Sequence, residues 1–356
     1  MAPRLGLAYH DAFLLHGVEG HIENHQRLRA IMRRLEETGW VRELARVPVS
    51  VASDEEIAWL HDPGYREEVR LISQQGGGYL DLDTVATPET YQAATMAVGA
   101  SMAAARMVMS GRLDAALCLV RPPGHHALPS RGMGFCFFNN IAFAAEAVLR
   151  DGAHRIAIVD WDLHHGNGTQ EMFYHRGDVL YFSIHQAYHA GGGGIFYPGT
   201  GTVDEVGVDA GFGKTINVPL PGGAAHRDYL AAFDHILVPA LYAYKPELIL
   251  VSAGFDANHT DPLGEMLLTI PAFHAMASAL ADAARDLCKS RLVLILEGGY
   301  DLEAMAFSVE DCLRALCGQE SAHADDVARE PRAHEQVAVR RYLQHAISLH
   351  QERLDL

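Results

Sequence analysis

The fold of this chain is decided at residues 156–168, which read Ile156-Ala157-Ile158-Val159-Asp160-Trp161-Asp162-Leu163-His164-His165-Gly166-Asn167-Gly168. The first four residues form a short, continuous apolar run, the pattern of a strand that is buried on both faces of a parallel sheet. Acids and imidazoles follow at the carboxyl end of this predicted strand, where open α/β sheets bind their ligands. Because alternate residues of an extended chain face the same way, we expect Asp160, Asp162 and His164 on one side.

The composition of the 356 residues is that of a globular protein, with 49% hydrophobic and 21% charged side chains. A net charge of -17 argues against direct binding to DNA or RNA, because nucleic-acid-binding surfaces are basic. No apolar run reaches the roughly 18 residues of a membrane helix, and the N-terminus lacks the apolar segment of a signal peptide. The five cysteines form no C-x-x-C pair, so we predict reduced, buried thiols in a cytoplasmic protein.

Apolar runs that alternate with amphipathic segments predict a parallel sheet with helices on both faces, which is the α/β class. The predicted strands are residues 4–9, 114–120, 156–159, 179–184, 248–252 and 292–296. The predicted helices are residues 23–35, 54–60 with Asp54 as a cap, 88–110, 139–150, 227–244 with a kink at Pro239, 272–289 and 301–317. We predict a loop at the glycine-rich residues 185–201, and a helix at residues 333–350 that packs outside the core or against another subunit.

Four of the predicted strands end in residues that can carry chemistry. Because the carboxyl ends of parallel strands share one edge of a sheet, we expect these residues to form a single site. The four groups are His125 with His126, Asp160 with Asp162 and His164, Asp256, and Tyr300.

Two carboxylates and one imidazole, from Asp162, His164 and Asp256, indicate a metal site. Three protein ligands with an open position are typical of a catalytic site, since a structural site is closed by four. The donor set suits Zn(II), Fe(II), Co(II) or Mn(II) equally. An isolated Asp-x-His pair is commonly a solvated loop, but here the pair follows a buried strand and Asp256 follows another.

The remaining groups indicate hydrolysis. Pro122-Pro123-Gly124 forms a rigid turn before His125 and His126, whose rings can be oriented by Asp160 and Asn167. Tyr300, after two glycines, can donate a hydrogen bond to an oxyanion opposite the metal. Together these parts predict metal-assisted hydrolysis of an amide or ester.

Six motifs stand in order along the chain: Arg121-Pro122-Pro123-Gly124-His125-His126, Gly132-Met133-Gly134-Phe135-Cys136-Phe137-Phe138-Asn139-Asn140, residues 160–168, Phe196-Tyr197-Pro198-Gly199-Thr200-Gly201, Gly254-Phe255-Asp256 with Asp261-Pro262-Leu263-Gly264, and Glu297-Gly298-Gly299-Tyr300. They resemble the motifs of the zinc-dependent histone deacetylase family, in particular its class II branch and the bacterial histone-deacetylase-like amidohydrolases. The resemblance implies an arginase/deacetylase fold: a single α/β domain with a central parallel sheet of about eight strands flanked by helices. It covers residues 4–318, so we expect a catalytic domain at residues 1–318 and a partly helical extension at residues 319–356.

The resemblance implies two cation sites. Zn(II), or else Fe(II) or Co(II), would be bound by Asp162, His164 and Asp256. A structural K+ would be held largely by carbonyl oxygens, near Asp160, Asp162, His164, Ser183 and Ile184.

Catalytic roles are implied as well. His126 would be the general base and acid, and His125 its electrostatic partner, backed by Asp160. Asn167, where class I members carry Asp, fits class II. Tyr300 would be the tyrosine that stabilises the transition state.

The substrate-binding residues implied by the resemblance are Gly134, Phe135, Tyr197, Gly298 and Gly299 along the acyl-lysine channel, Leu263 at its mouth and Asp83 at the rim. Polyamine-selective relatives carry an acid near the position of Leu263, so this leucine favours a neutral acyl-lysine side chain. Tyr197 departs from the usual second phenylalanine of the channel. Ile22 departs from the usual proline of the entry loop, which predicts a different loop shape.

The substrate stays open between two classes of amide. An acylated lysine peptide is the leading candidate, and an acetylpolyamine or other small acyl amide is the alternative, for which Glu19, Glu23 and Glu265 could supply a negative rim. A non-catalytic acyl-lysine-binding module is a further reading, although its usual sign, loss of Tyr300 or of a metal ligand, is not seen. The charged tail leaves a homo-oligomer open.

Overall fold

The fold is described by a computed structural model, which covers residues 3–353 of the chain. Within this range the strands are β1 (Leu5–Ala8), β2 (Ala45–Arg46), β3 (Gly78–Tyr79), β4 (Val85–Ala86), β5 (Ala115–Cys118), β6 (Ile156–Asp160), β7 (Val179–His189), β8 (Gly193–Ile195), β9 (Thr215–Pro221), β10 (Leu248–Ala253) and β11 (Leu292–Leu296). The helices are α1 (Gln26–Glu37), α2 (Trp40–Glu43), α3 (Asp54–Ile57), α4 (Pro63–Gln74), α5 (Thr90–Met109), α6 (Asn140–Arg150), α7 (Asn167–Phe173), α8 (His226–Ala232), α9 (Val238–Tyr244), α10 (Ile270–Cys288), α11 (Leu302–Leu316) and α12 (Ala333–Arg353).

The main sheet has nine strands in the described range, in the order β2-β1-β5-β11-β10-β6-β7-β8, with β9 also paired to β7. Its neighbouring strands run parallel except for β8, which is antiparallel to β7. Helix α5 packs against β5 and β11, α6 against β6 and β10, and α10 against β10 and β11. The predicted α/β class, with a central parallel sheet and flanking helices, is confirmed.

The strand order explains why the predicted site can exist. Strands β5, β11, β10 and β6 are consecutive neighbours, and each is buried at every residue. The four chemical groups of the sequence follow these four strands, so the sheet brings them to one edge.

The prediction of a loop at residues 185–201 is wrong in its first half. Strand β7 continues to His189, and β8 turns back to pair with it. Gly191 and Gly192 make the turn with φ of 77° and 79°, which glycine adopts without steric cost. The glycines therefore build a tight hairpin where composition alone indicated an irregular loop.

Strand β9 was missed from the sequence. It pairs in parallel with β7 alone, so the backbone N–H groups on its other side are not used in the sheet. Pro219 and Pro221 therefore fit into it, although prolines usually argue against a strand.

Two helix predictions need correction. Residues 227–244 form α8 and α9 joined by a π-helical turn at Phe233–Leu237, directly before Pro239. Pro239 lacks the N–H that a continuous helix needs, so the helix is interrupted at the turn before it. The cap of α3 is Ser53 and not Asp54: Ser53 Oγ accepts from Glu56 N at 3.1 Å, and Ser53 N donates to Glu56 Oε2 at 2.8 Å.

Helix α12 confirms the predicted helix near residues 333–350. It packs against β9 and α8 of the same chain. The division of the chain at residue 318 stays a prediction, and residues 1–2 and 354–356, which belong to the two predicted segments, lie outside the described residues.

The cysteine prediction holds for four of the five thiols. All five are free, four are buried, and Cys317 is partly exposed. None of the helices in residues 3–353 combines the length and the apolarity that crossing a membrane would require.

Candidate active site

A cavity of about 320 Å³ lies at the carboxyl ends of β5, β6, β10 and β11. Most residues that the sequence predicted for the site line it. The lining residues are Asp83, Pro123, His125, His126, Gly134, Phe135, Asp162, His164, Phe196, Tyr197, Leu263, Gly298 and Tyr300.

The predicted metal ligands meet beside this cavity. Asp162, His164 and Asp256 each place one ligand atom within 4.8 Å of the other two. His164 Nδ1 lies 3.3 Å from Asp162 Oδ1 and 3.2 Å from Asp256 Oδ2. Ligand atoms about 2.1 Å from a tetrahedral Zn(II) are about 3.4 Å apart, so these separations fit one such ion. Burial lowers the pKa of His164, but the two carboxylates outweigh it and raise the pKa to about 9, as expected where positive charge is attracted.

Backbone groups hold the two carboxylates in place. Asp162 Oδ2 accepts a hydrogen bond from Gly298 N at 2.8 Å, and Asp256 Oδ1 accepts one from Leu163 N at 2.9 Å. A Cβ atom at residue 298 would lie 2.4 Å from Asp256 Oδ2. Glycine is therefore needed at this position because the backbone and the carboxylate approach so closely.

The two imidazoles after β5 have the partners that the sequence predicted. His125 Nδ1 lies 3.1 Å from Asp160 Oδ2, and His126 Nδ1 lies 2.7 Å from Asn167 Oδ1. Because an amide oxygen only accepts hydrogen bonds, His126 Nδ1 donates and its Nε2 keeps a free lone pair. His126 is thus arranged to accept a proton at Nε2.

The charges of the two imidazoles differ. Burial lowers the pKa of His125, but the carboxylates of Asp162 and Asp160 outweigh it and raise the pKa to about 10. Burial also lowers the pKa of His126, and the neighbouring positive charge of His125 lowers it further, to well below the usual value. One imidazole is therefore charged near neutral pH while the other is neutral, which is the form that a general base needs.

Glu297, at the end of β11, holds the turn that carries these imidazoles. Its Oε2 accepts from Gly124 N at 2.7 Å and from His125 N at 3.2 Å, and its Oε1 accepts from Ser252 Oγ at 3.1 Å. Glu297 belongs to the motif Glu297-Gly298-Gly299-Tyr300, but its supporting role was not predicted. The sequence did offer a signal for this role, because Glu297 directly follows a run that predicts a buried strand. A carboxylate buried there must accept hydrogen bonds from nearby donors.

We expect Glu297→Ala to lower the free energy of unfolding by about 2 kcal/mol and to lower turnover, because two buried N–H groups lose their acceptor. This loss of stability is at the low end for two such N–H groups, because the mutation also removes a carboxyl group that is costly to bury as an anion. Burial raises the pKa of Glu297 to about 7, which reflects that cost. Denaturant titration and a turnover assay would measure both effects. Glu303→Ala, at an exposed acid of α11, is the matched control, and stability equal to that control would contradict the role.

Aromatic rings form the walls of the cavity. The Tyr197 ring lies 5.3 Å from the His126 ring in a T-shaped arrangement, and the Phe135 ring lies 5.9 Å from the Tyr300 ring in the same way. Phe196, which was not predicted as a site residue, stacks on His164 at 5.6 Å with 16° between the planes. Its position next to Tyr197 was the only signal for it in the sequence.

Tyr300 lies at the cavity with its ring and backbone both held. The guanidinium of Arg27 lies 4.9 Å from the ring centroid, and Tyr300 N donates to Asp261 Oδ2 at 2.6 Å. Burial raises the pKa of Tyr300 well above its usual value, so the hydroxyl keeps its proton. No group in residues 3–353 hydrogen-bonds this hydroxyl, which can therefore donate to a molecule in the cavity.

Gly299 does not line the cavity, unlike Gly298. Its carbonyl oxygen accepts a hydrogen bond from Arg27 Nε at 2.7 Å. Gly299 thus belongs to the support beneath Tyr300.

Two of the acids that were expected at a negative rim, Glu23 and Glu265, form contacts inside the protein instead. Glu23 is only 2% exposed and pairs with Arg121 Nη2 at 2.6 Å and Arg27 Nη1 at 3.0 Å, so its prediction as a rim acid is wrong. Two arginines make its burial possible, because a buried carboxylate needs compensating charge.

Glu265 does not line the cavity either. Its Oε2 accepts from Ala190 N at 3.0 Å and Gln186 Nε2 at 2.8 Å. Asp83 remains as an acid of the cavity lining.

The chain is similar to proteins of one known family. The histone deacetylase domain family matches residues 21–316. A histone deacetylase-like amidohydrolase of Pseudomonas aeruginosa is 41% identical over 307 residues, which cover 86% of this chain and 79% of that protein. A probable deacetylase of Archaeoglobus fulgidus is 36% identical over 318 residues, which cover 88% of this chain and 86% of that protein.

A solved structure agrees as well. The crystal structure of the HDA15 HD domain is similar with a TM-score of 0.87 and 34% identity, over 98% of this chain and 95% of that one. That coverage leaves out about seven of the 356 residues, fewer than the 21 of α12, so the likeness extends into the C-terminal helix. The arginase/deacetylase fold implied by the motifs is confirmed.

Proposed function

Because this chain belongs to the histone deacetylase family, we propose that it deacylates acetyl-lysine or a similar linear acyl-lysine side chain. The family and its relatives, which are named deacetylases and amidohydrolases, support hydrolysis of an acyl amide. The observation that carries the proposal is the meeting of the metal-ligand cluster, His126 and Tyr300 at one aromatic-walled cavity.

Asp162, His164 and Asp256 are proposed to hold the metal, with Zn(II) as the leading ion and Fe(II) or Co(II) suited to the same donors. Their separations fit a single ion, as described above. When bound, such a metal supplies Lewis acidity, which activates water and polarises an amide carbonyl.

The side chains around this position would divide the proton transfers. His126 Nε2 takes a proton from the attacking water, while the charged His125 keeps positive charge beside the site. As the amide carbon becomes tetrahedral, the Tyr300 hydroxyl donates a hydrogen bond to the oxygen that gains negative charge. His126 then returns its proton to the amine as the carbon–nitrogen bond breaks, which yields a carboxylic acid and a free amine.

The cavity walls favour a neutral, extended side chain. Phe135 and Tyr197 offer apolar ring faces to the methylenes of a lysine, and Leu263 supplies no charge at the mouth. Burial of Glu23 removes one acid from the rim that an acetylpolyamine would need. Asp83 is proposed to accept hydrogen bonds from the backbone amides of a peptide substrate.

The test is amide hydrolysis by the zinc-loaded protein on acetyl-lysine peptide, trifluoroacetyl-lysine peptide, N-acetylputrescine and N-acetylspermidine. We expect the peptides to be preferred by at least about tenfold in kcat/KM, the ratio that corresponds to 1.4 kcal/mol of transition-state binding. Preference for the polyamines would overturn the acyl-lysine assignment and support the small-molecule alternative. Absence of turnover on all four would overturn the acyl-lysine assignment and indicate another small acyl amide as the substrate, with Asp256→Ala protein as the background control.

The K+ site is also proposed. Asp160 and Ser183, which belong to its implied ligand set, are direct partners in the β6–β7 register. A cytoplasmic location, the absence of nucleic-acid binding and the formation of a homo-oligomer stay predictions.

A further inference from the structure

We propose that α12, which lies beyond the residues matched by the family, positions one wall of the substrate channel through Tyr342. The wall in question is residues 188–197, named the wall hairpin, which contains β8 and carries Phe196 and Tyr197. The inference rests on the proposed function, because it assigns these two rings to the acyl-lysine channel.

The tip of the wall hairpin is short and rich in glycine. Strand β8 has three residues, all exposed, and the turn and the start of β8 together contain four consecutive glycines, Gly191–Gly194. Glycine loses more conformational freedom on folding than any other residue, and a two-stranded hairpin is only marginally stable alone. Contacts from outside are therefore needed to order it.

Helix α12 supplies such contacts from one side. The Tyr342 ring lies 4.7 Å from the Tyr188 ring, at 37° between the planes. His334 lies next to Gly191, and Tyr342 lies next to Gly192. From another direction Glu265 accepts the hydrogen bond from Ala190 N, so the turn is held by two separate elements.

Helix α12 is itself well anchored. Val339, Leu343 and Ala346 are buried against the core. His350 is also buried, and its Nε2 lies 2.8 Å from the carbonyl oxygen of Asn217 on β9. The helix can therefore act as a rigid base, because these anchors lie outside the hairpin.

The hairpin in turn reaches the active site through its aromatic residues. Phe196 N donates to Ala187 O at 2.8 Å, which ties Phe196 to β7. The Phe196 and Tyr197 rings contact His164 and His126 respectively. The metal ligands and catalytic side chains follow core strands, so a loosened hairpin would disturb the wall more than the reacting groups.

Tyr342→Ala tests this role. We expect KM for the acetyl-lysine peptide to rise about fivefold, the loss expected for one aromatic pair, with kcat within about twofold. Discrimination between acetyl and longer acyl groups should fall as the wall becomes adaptable. Tyr342→Phe should restore wild-type values because it keeps the ring, and Val337→Ala, at a 71% exposed residue of the same helix, is the matched control.

Hydrogen exchange gives a second readout that needs no activity. Amides of residues 188–197 should exchange faster in Tyr342→Ala, and to a smaller extent in His334→Ala, an exposed residue whose loss leaves the core intact. Exchange and KM equal to those of Val337→Ala would overturn the inference. Faster exchange at residues 188–197 with no peptide turnover by the wild-type protein would support the positioning role and count against the proposed function instead.

Discussion

Tyr300→Phe is expected to lower kcat for amide hydrolysis by about 10²- to 10³-fold, the usual cost of removing one oxyanion donor. The hydroxyl is protonated, lies at the cavity and is left without a partner by residues 3–353, so its proposed use is donation to the developing oxyanion. The ring stays in place, because Arg27 and Phe135 contact the ring and not the hydroxyl.

Metal content and thermal stability should therefore stay at wild-type levels in Tyr300→Phe. Steady-state kinetics would measure the expected loss of kcat, and elemental analysis would measure the unchanged metal content. Tyr79→Phe, at a tyrosine that is 71% exposed, is the matched control. Unchanged turnover in Tyr300→Phe would remove the oxyanion role.

Asp256→Ala is expected to weaken metal binding by at least about 100-fold, because even the outer partners of metal ligands contribute 10- to 100-fold. Asp256 is wholly buried and its Oδ2 lies 3.2 Å from His164 Nδ1, so its removal takes away one of the three buried ligand side chains. Turnover should be lost together with the metal.

Elemental analysis after gel filtration, and titration of the metal-free protein with Zn(II), would measure this loss. Asp256→Asn is the second variant, since its amide oxygen can still accept from Leu163 N and preserve the fold. Asp234→Ala, at an exposed acid, is the control. Full metal occupancy in both Asp256 variants would refute the ligand assignment.

Local sequence patterns were sufficient to predict most strands and helices of the core. The strand at residues 156–160 and the helices near residues 90–109 and 140–150 were predicted within a few residues, because hydrophobic period and capping residues are local signals. Local patterns did not predict β8 and β9, because these strands contain glycines or prolines, which disfavour a strand. Both strands are stabilised by pairing with β7.

The candidate site shows the same division. The placement of His125, His126, Asp162, Asp256 and Tyr300 at one edge of the sheet could be predicted, because each stands shortly after an apolar run that predicts a strand. The role of Glu297 was not predicted. Its carboxylate accepts a hydrogen bond from the backbone of His125, which lies 172 residues earlier in the chain.

The sequence by itself determined the α/β class, the order along the chain of the four strands that carry the site and the set of chemical groups that follow them. Only the tertiary structure decided that Glu23 pairs with Arg121, 98 residues away, and is lost to the rim. It likewise decided that Tyr342 of the C-terminal helix packs beside the channel wall. The physical reason is that hydrophobic pattern and turn chemistry act between near neighbours, whereas these contacts depend on which strands become adjacent in the sheet.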